Sequence, residues 1–151
     1  MIKIAIGSDH GGVDLKAFLN NALTKEGYEV IDCGTYTKDS CNYPTYAIAA
    51  AEKVASNEAD YGIVICRTGE GVSIAANKVS GIRCGIGYNQ KVSALIKEHN
   101  NANVIAFGAD FITNEDALTN VRTFLNAKFL KGKHLVRVSL ITDYEKEHCS
   151  K

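Results

Sequence analysis

The sequence carries no excess of charge of either sign. Its 151 residues include 17 Lys and Arg against 17 Asp and Glu, so the formal net charge is zero. A nucleic-acid-binding protein or an acidic tail has a marked surplus of one sign, and the balance argues against both classes. Hydrophobic residues make up 46% of the chain and charged residues 23%, which is typical of a globular protein.

Long apolar runs and targeting patterns are also missing. No run approaches the roughly 20 apolar residues that a bilayer-spanning helix needs, and Asp9 and His10 interrupt the start that a signal peptide would require. The five cysteines form no C-x-x-C pair and show no zinc-finger spacing. We therefore expect a reduced protein of the cytoplasm, without a membrane or nucleic-acid partner, a metal ion or a cofactor.

Proline is almost absent, and no linker or internal repeat divides the chain. Pro44 is the single proline, and the length suits one domain, over residues 1–151. Short, nearly unbroken apolar runs rich in β-branched residues are typical of strands buried on both faces of a parallel sheet. They predict five strands, at residues 2–6, 28–31, 61–65, 82–86 and 104–107.

Helical spacing of apolar residues fills the gaps between these runs. The alternation of strand and helix predicts a right-handed, three-layer α/β fold. The tail over residues 135–147 fits either a strand or a helix, because its apolar residues satisfy both periods. The other helices are predicted at residues 15–23, with Gly27 as a stop, at 46–54 after Pro44, at 92–96, and at 118–125 after a capping-box pattern that starts at Thr113.

The segment from Cys66 to Gly71 follows the third predicted strand. Ligands of parallel α/β sheets bind outside the carboxyl ends of the strands. Gly69 and Gly71 permit a sharp turn into a helix, whose first amides can stabilise an anion or a forming oxyanion. A helix start and the cation Arg67 both favour a thiolate at Cys66, although a buried structural cysteine fits the pattern too. Nucleotide-binding loops of the G-x-x-x-x-G-K-[ST] and G-x-G-x-x-G types are absent.

Two histidines lie beside other predicted elements. His10 follows Asp9 at the end of the first strand, where the pair can transfer protons or bind a polar ligand, unless Asp9 only caps the next helix. His99 ends a helix just before the fifth strand, where it can act in catalysis or simply pack. A basic cluster near the C terminus can hold a phosphate or form a solvated face, and it contains Lys131, Lys133, His134 and Arg137.

Together these segments resemble the type B ribose-5-phosphate isomerases, a family that also includes the galactose-6-phosphate isomerase subunits. The resemblance implies a Rossmann-like fold and a metal-free aldose–ketose isomerase of the pentose phosphate pathway. It also implies a homodimer or a dimer of dimers, with sites built from two subunits and a C-terminal helix that reaches the partner. The matching segments are residues 7–12, 30–35, 42–44, 66–78, 99–104 and 132–137.

The resemblance also implies roles for individual residues. Cys66 is expected to be the general base that moves a proton through an enediolate, while Thr68 and the amides of Gly69, Glu70 and Gly71 hold the oxyanion. The remaining residues implied by the resemblance are His99, helped by Asp9, for ring opening; His10, Lys133 and Arg137 for the phosphate; and Tyr43 and Asn100 along the sugar. Arg67, which the family pattern does not include, is expected as a further substrate contact.

Three residues depart from the family pattern. Arg67 stands where a small residue is common, Asp110 where a phosphate-binding arginine is usual, and Lys133 where arginine is usual. One hypothesis is that Arg67 replaces the charge lost at Asp110, and another is that Arg67 crowds the site and changes the sugar. The alternatives to a ribose 5-phosphate isomerase are therefore an isomerase of galactose, allose or tetrose phosphates, or a non-catalytic sugar-phosphate-binding protein.

Overall fold

Five parallel strands form one sheet in a computed structural model that describes residues 1–149. The last two residues of the predicted domain lie outside the described residues. The spatial order is β2-β1-β3-β5-β4, and every neighbouring pair is parallel. The predicted five-stranded parallel sheet is confirmed, with its strands at Lys3–Ser8 (β1), Glu29–Asp32 (β2), Tyr61–Cys66 (β3), Cys84–Ile86 (β4) and Val104–Gly108 (β5).

Strand β4 is shorter than its apolar pattern predicts. Ile82 belongs instead to the turn after a helix, where its amide donates to the carbonyl of Val79. The amide of Arg83 then donates to the side chain of Asn103, at 2.9 Å, and so has no strand partner. Local turn and side-chain hydrogen bonds therefore delay the start of this edge strand by two residues.

Within residues 1–149, six α-helices accompany the sheet, and local signals mark several of their ends. Gly27 adopts a left-handed φ of +96° just after the first helix, as a stop signal should. The Thr113 hydroxyl accepts from the Asp116 amide, and Pro44 occupies the first turn of the second helix. Among residues 1–149 no helix is both long and apolar enough to cross a membrane. The helices are Val13–Lys25 (α1), Tyr43–Ala55 (α2), Glu70–Asn77 (α3), Gln90–Glu98 (α4), Asn114–Asn126 (α5) and Lys133–His148 (α6).

The sheet buries both of its faces, which confirms the three-layer fold. Alternate strand residues point to opposite faces, so Ile63 and Ile65 pack against α1 and α5, while Val64 and Cys66 pack against α2 and α3. The α2–α3 side is built largely from alanine, which lets the helices approach the sheet closely. Cys66 therefore reaches the end of β3 on the α2–α3 side.

The tail whose sequence fits either a strand or a helix forms helix α6. This helix packs little against the rest of its own chain. Val138 is its only buried residue within the described part of the chain. Val136, Leu140 and Tyr144 recur every four residues and form an apolar stripe, with exposed fractions of 64%, 66% and 62%. Such a stripe is unusual in a monomer, because exposed apolar surface of this kind marks interaction sites.

Candidate functional site

The loop after β3 holds Cys66 against a backbone donor. The Cys66 sulfur accepts a hydrogen bond from the Gly69 amide at 3.2 Å, and the residue is only 6% exposed. Gly69 has a φ of +82°, and a Cβ there would lie 3.0 Å from the Gly108 amide nitrogen. Only glycine fits both constraints without strain, so this turn depends on Gly69 to bring its amide to the sulfur.

Helix α3 begins directly beside the sulfur. The Thr68 hydroxyl accepts from the Glu70 amide at 3.2 Å and thereby caps the helix start. The ring of Tyr43 covers Gly71 so closely that a Cβ on Gly71 would lie 2.6 Å from it. The first-turn amides of a helix have no partner within that helix, and in α3 the Glu70 amide uses Thr68 as its acceptor. The thiol thus lies close to the start of α3, where the Gly69 amide is bound to the sulfur and the Glu70 amide to Thr68.

Asp9 and His10 lie at the end of the neighbouring strand β1. The Asp9 carboxylate accepts from the Gly11 amide at 2.9 Å and caps a 3-10 turn that leads into α1. The His10 ring accepts from the Cys41 amide at 3.3 Å. Asp9 is buried. It caps the turn, as one interpretation of the sequence predicts. It also lies at the carboxyl end of the sheet, where ligands of such folds bind.

Arg67 does not fill the space beside Cys66. Consecutive strand residues point to opposite faces, and the Arg67 side chain runs across Gly11, on the α1 side of the sheet. Its guanidinium lies 3.5 Å from the Asp110 carboxylate, and the two side chains are 59% and 46% exposed. The cation and the acid that depart from the family pattern are therefore partners in one ion pair.

A cavity of about 480 Å³ lies on the other side of this loop. Thr68 and Glu70 form one wall, and the exposed aromatic residues Tyr88 and Phe111 border its opening. Cys66 does not line this cavity. Among residues 1–149 no cluster of three or more His, Cys, Asp or Glu side chains is arranged to hold a metal ion.

The other cysteines differ from Cys66 in their surroundings. Burial raises the pKa of Cys84 to about 12, although a hydrogen bond with Ser73 acts in the opposite direction. Burial also raises the pKa of Cys33. Cys149 is exposed near the C terminus, and all five cysteines are free. Cys66 is distinguished from them by its backbone donor and by its place at the end of a central strand.

The second set of predicted residues lies at the opposite end of the strands, where β4 and β5 begin. His99 and Asn100 follow α4 and precede β5, and the carbonyl of Asn100 accepts from Arg83, which precedes β4. The His99 ring stacks on that of His134 at the start of α6, with centroids 4.2 Å apart. Partial desolvation lowers the pKa of His134, and the neighbouring charges of His99, Lys133 and Arg137 lower it further.

The predicted site residues thus fall into two groups. The cysteine group, at the carboxyl edge of the sheet, consists of Asp9, His10, Tyr43, Cys66, Arg67, Thr68, Gly69, Glu70 and Gly71. The histidine group, at the amino edge, consists of His99, Asn100, Lys133 and Arg137. A strand of the length of β3 separates these edges by roughly 17–20 Å, so one chain does not bring the groups together. His134 is an addition to the histidine group, and its signal in the sequence is its place inside the basic cluster.

Comparisons with known proteins identify the family of the chain. The family model described as ribose/galactose isomerase matches residues 4–141. Ribose-5-phosphate isomerase B from Escherichia coli is 43% identical over 145 residues, which cover 96% of this chain and 97% of that protein.

Two solved structures share the fold almost completely. Ribose-5-phosphate isomerase B from Clostridium thermocellum has a TM-score of 0.95 and 48% identity, and the match covers 97% of this chain and 99% of the other. The enzyme from Mycoplasma genitalium, with bound ribulose-5-phosphate, has a TM-score of 0.93 and 39% identity over 97% of each chain. The chain therefore belongs to the ribose/galactose isomerase family.

Proposed function

We propose that this protein is an aldose–ketose isomerase that interconverts ribose 5-phosphate and ribulose 5-phosphate, as its relatives of that name do. The observation that carries the proposal for this chain is the Cys66 sulfur beside the Gly69 amide and the start of α3. A proton next to a carbonyl is only weakly acidic, so its removal needs both a base and donors that stabilise the resulting oxyanion. This loop offers both within a few residues.

In the proposed reaction Cys66 acts as a thiolate base. It takes the proton from C2 of the open-chain aldose, and the electron pair of that bond moves through C1 onto the carbonyl oxygen. A proton then passes from O2 to O1 through the enediolate, and the thiol returns its proton to C1 to give the ketose. The Thr68 hydroxyl and the amides at the start of α3 stabilise the negative charge on the oxygens.

The histidine group completes the site from a second copy of the chain in this proposal. His99, aided by Asp9, opens the furanose ring, and Asn100 lies along the sugar, while Lys133 and Arg137 bind the phosphate together with His10. Two observations support a partner: the groups lie at opposite edges of one sheet, and α6 carries an exposed apolar stripe beside the histidine group. Two-fold symmetry would place the histidine group of each copy against the cysteine group of the other.

The absence of any disulfide among the five cysteines supports a reducing compartment, so we also place the protein in the cytoplasm.

A coupled isomerase assay over pentose, hexose and tetrose phosphates tests the function. We expect turnover of ribose 5-phosphate that falls at least about 1,000-fold in Cys66→Ala, because the base is lost. Cys149→Ala is the matched control, since Cys149 is an exposed thiol just after the end of α6, and it should keep full activity. Turnover of only another sugar phosphate would overturn the assignment of ribose, and full activity in Cys66→Ala would overturn the assignment of the base.

A further inference from the structure

The Arg67 side chain rests on a surface that only glycine can provide. A Cβ on Gly11 would lie 2.6 Å from the Arg67 Cγ and 3.3 Å from its Nε. Gly11 belongs to the 3-10 turn that leads into α1, and the adjacent His10 carries one of the predicted phosphate contacts. The guanidinium is therefore held over the chain segment that connects β1 to α1, beside the proposed site.

Within residues 1–149, most donors of this guanidinium have no protein partner. Asp110 takes a hydrogen bond from Nη1 at a long 3.5 Å. Among residues 1–149 no other acceptor takes the hydrogens of Nε or Nη2. A guanidinium has five donors in a planar fork that matches two oxygens of a phosphate, so this fork can take an anion while it still contacts Asp110.

The neighbouring cations on this side of the sheet are already paired. Lys16 forms a close ion pair with Asp32 at 2.7 Å, and Lys38 pairs with Asp14 at 2.9 Å. Arg67 follows Cys66 directly in the chain but points to the other face of the sheet. A phosphorylated sugar that crosses the end of β3 can thus place its reacting carbons at the sulfur and its phosphate at the guanidinium.

We propose that Arg67 is a specificity-determining residue that binds the substrate's phosphate and that Asp110 weakens this binding. The inference rests on the proposed function for its substrate. The Asp110 carboxylate holds one donor of the fork and repels a dianion placed at the others. The pair thus sets the affinity for phosphate: the arginine supplies the attraction, and the aspartate limits it.

The two residues are expected to give opposite effects when they are neutralised separately. Arg67→Gln should raise KM for the sugar phosphate about tenfold with kcat within about twofold, because a charged phosphate contact is lost in the ground state and the transition state alike. Asp110→Asn should lower KM about two- to threefold, because the repulsion is removed while a hydrogen-bond acceptor for Arg67 remains. An ion pair with a merely structural role would shift KM in the same direction in both variants, and that result would overturn the proposal.

Binding of inorganic phosphate gives a readout that does not depend on turnover. Titration calorimetry on the full chain should show weaker phosphate binding in Arg67→Gln and tighter binding in Asp110→Asn. Arg122→Gln is the matched control, since Arg122 pairs with Glu26 between α5 and α1, and it should leave phosphate binding unchanged. Unaltered phosphate binding in Arg67→Gln would refute the inference, whereas inactivity of the wild type towards ribose 5-phosphate would refute only the proposed function.

Discussion

Gly69 links the backbone geometry of the β3–α3 loop to its chemistry. Its left-handed φ and its contact with Gly108 leave no room for a side chain, and its amide is the donor to the Cys66 sulfur. We expect Gly69→Ala to cost about 1–3 kcal/mol of stability and to lower kcat at least about tenfold, because the loop must move away from the sulfur. Thermal unfolding and the isomerase assay measure the two effects.

Gly27→Ala is the control that separates the effect of backbone strain on stability from the effect of the Gly69 amide on kcat. Gly27 has a similar φ of +96°, but nothing lies within 4 Å of its missing Cβ. This variant should cost about 1–2 kcal/mol of stability and keep its kcat. Equal kcat values in the two alanine variants would show that the Gly69 amide has no part in catalysis.

For single residues, the sequence predicts local turns better than it predicts contacts between distant residues. A cysteine after an apolar strand, followed by two glycines, predicts the turn and its place at the sheet edge, and the structure has both. The contact between Arg67 and Asp110 joins residues 43 positions apart. It depends on the pairing of β3 with β5, which brings the two strand ends together, and no local pattern in the sequence encodes that pairing.

Among the elements, the central strands were the easiest to predict. Their residues are buried on both faces, so the apolar runs are continuous and their ends are marked by glycine or charge. Edge strand β4 was harder, because hydrogen bonds of the turn and of the Asn103 side chain delay the start of the pairing. Helix α6 was ambiguous for a different reason: it packs little against its own chain, and the spacing of its apolar residues fits a strand as well as a helix.

The apolar stripe of α6 gives a prediction for this element. Leu140 is 66% exposed at the centre of the stripe, and Leu140→Glu would place a carboxylate in the proposed interface, where it would be buried without a partner. We expect the variant to sediment as a monomer in analytical ultracentrifugation and to lose most of its activity. Lys146→Glu, which also adds a carboxylate to exposed α6, should remain dimeric and active. A dimeric, active Leu140→Glu would exclude the stripe as the interface.

At the scale of the whole molecule, the topology separates the proposed site into two parts. His99 precedes β5, and residues before a parallel strand lie at the edge opposite to residues that follow one. The sequence alone therefore contained the signal that His99 and Cys66 do not meet in one chain. The geometry of the second copy is not encoded in any local pattern, because it depends on the complementarity of two complete surfaces.

Mixed subunits test this division directly. Cys66→Ala and His99→Ala each remove one group from every site of a homodimer, so each variant alone should be nearly inactive. A heterodimer of the two contains one site with both groups intact, and random reassociation of equal amounts should restore about a quarter of the wild-type activity. The measurement is the isomerase rate after the two variants are unfolded and refolded together.

Cys66→Ala mixed with Thr68→Ala provides the matched control. Both residues belong to the cysteine group, and Thr68 caps the helix beside the sulfur, so every heterodimer site carries one of the two defects. This mixture should therefore give no more than the mean activity of the two variants. Restored activity with His99→Ala but not with Thr68→Ala requires that the two groups come from different chains, whereas failure of both mixtures would place the whole reaction within a single chain.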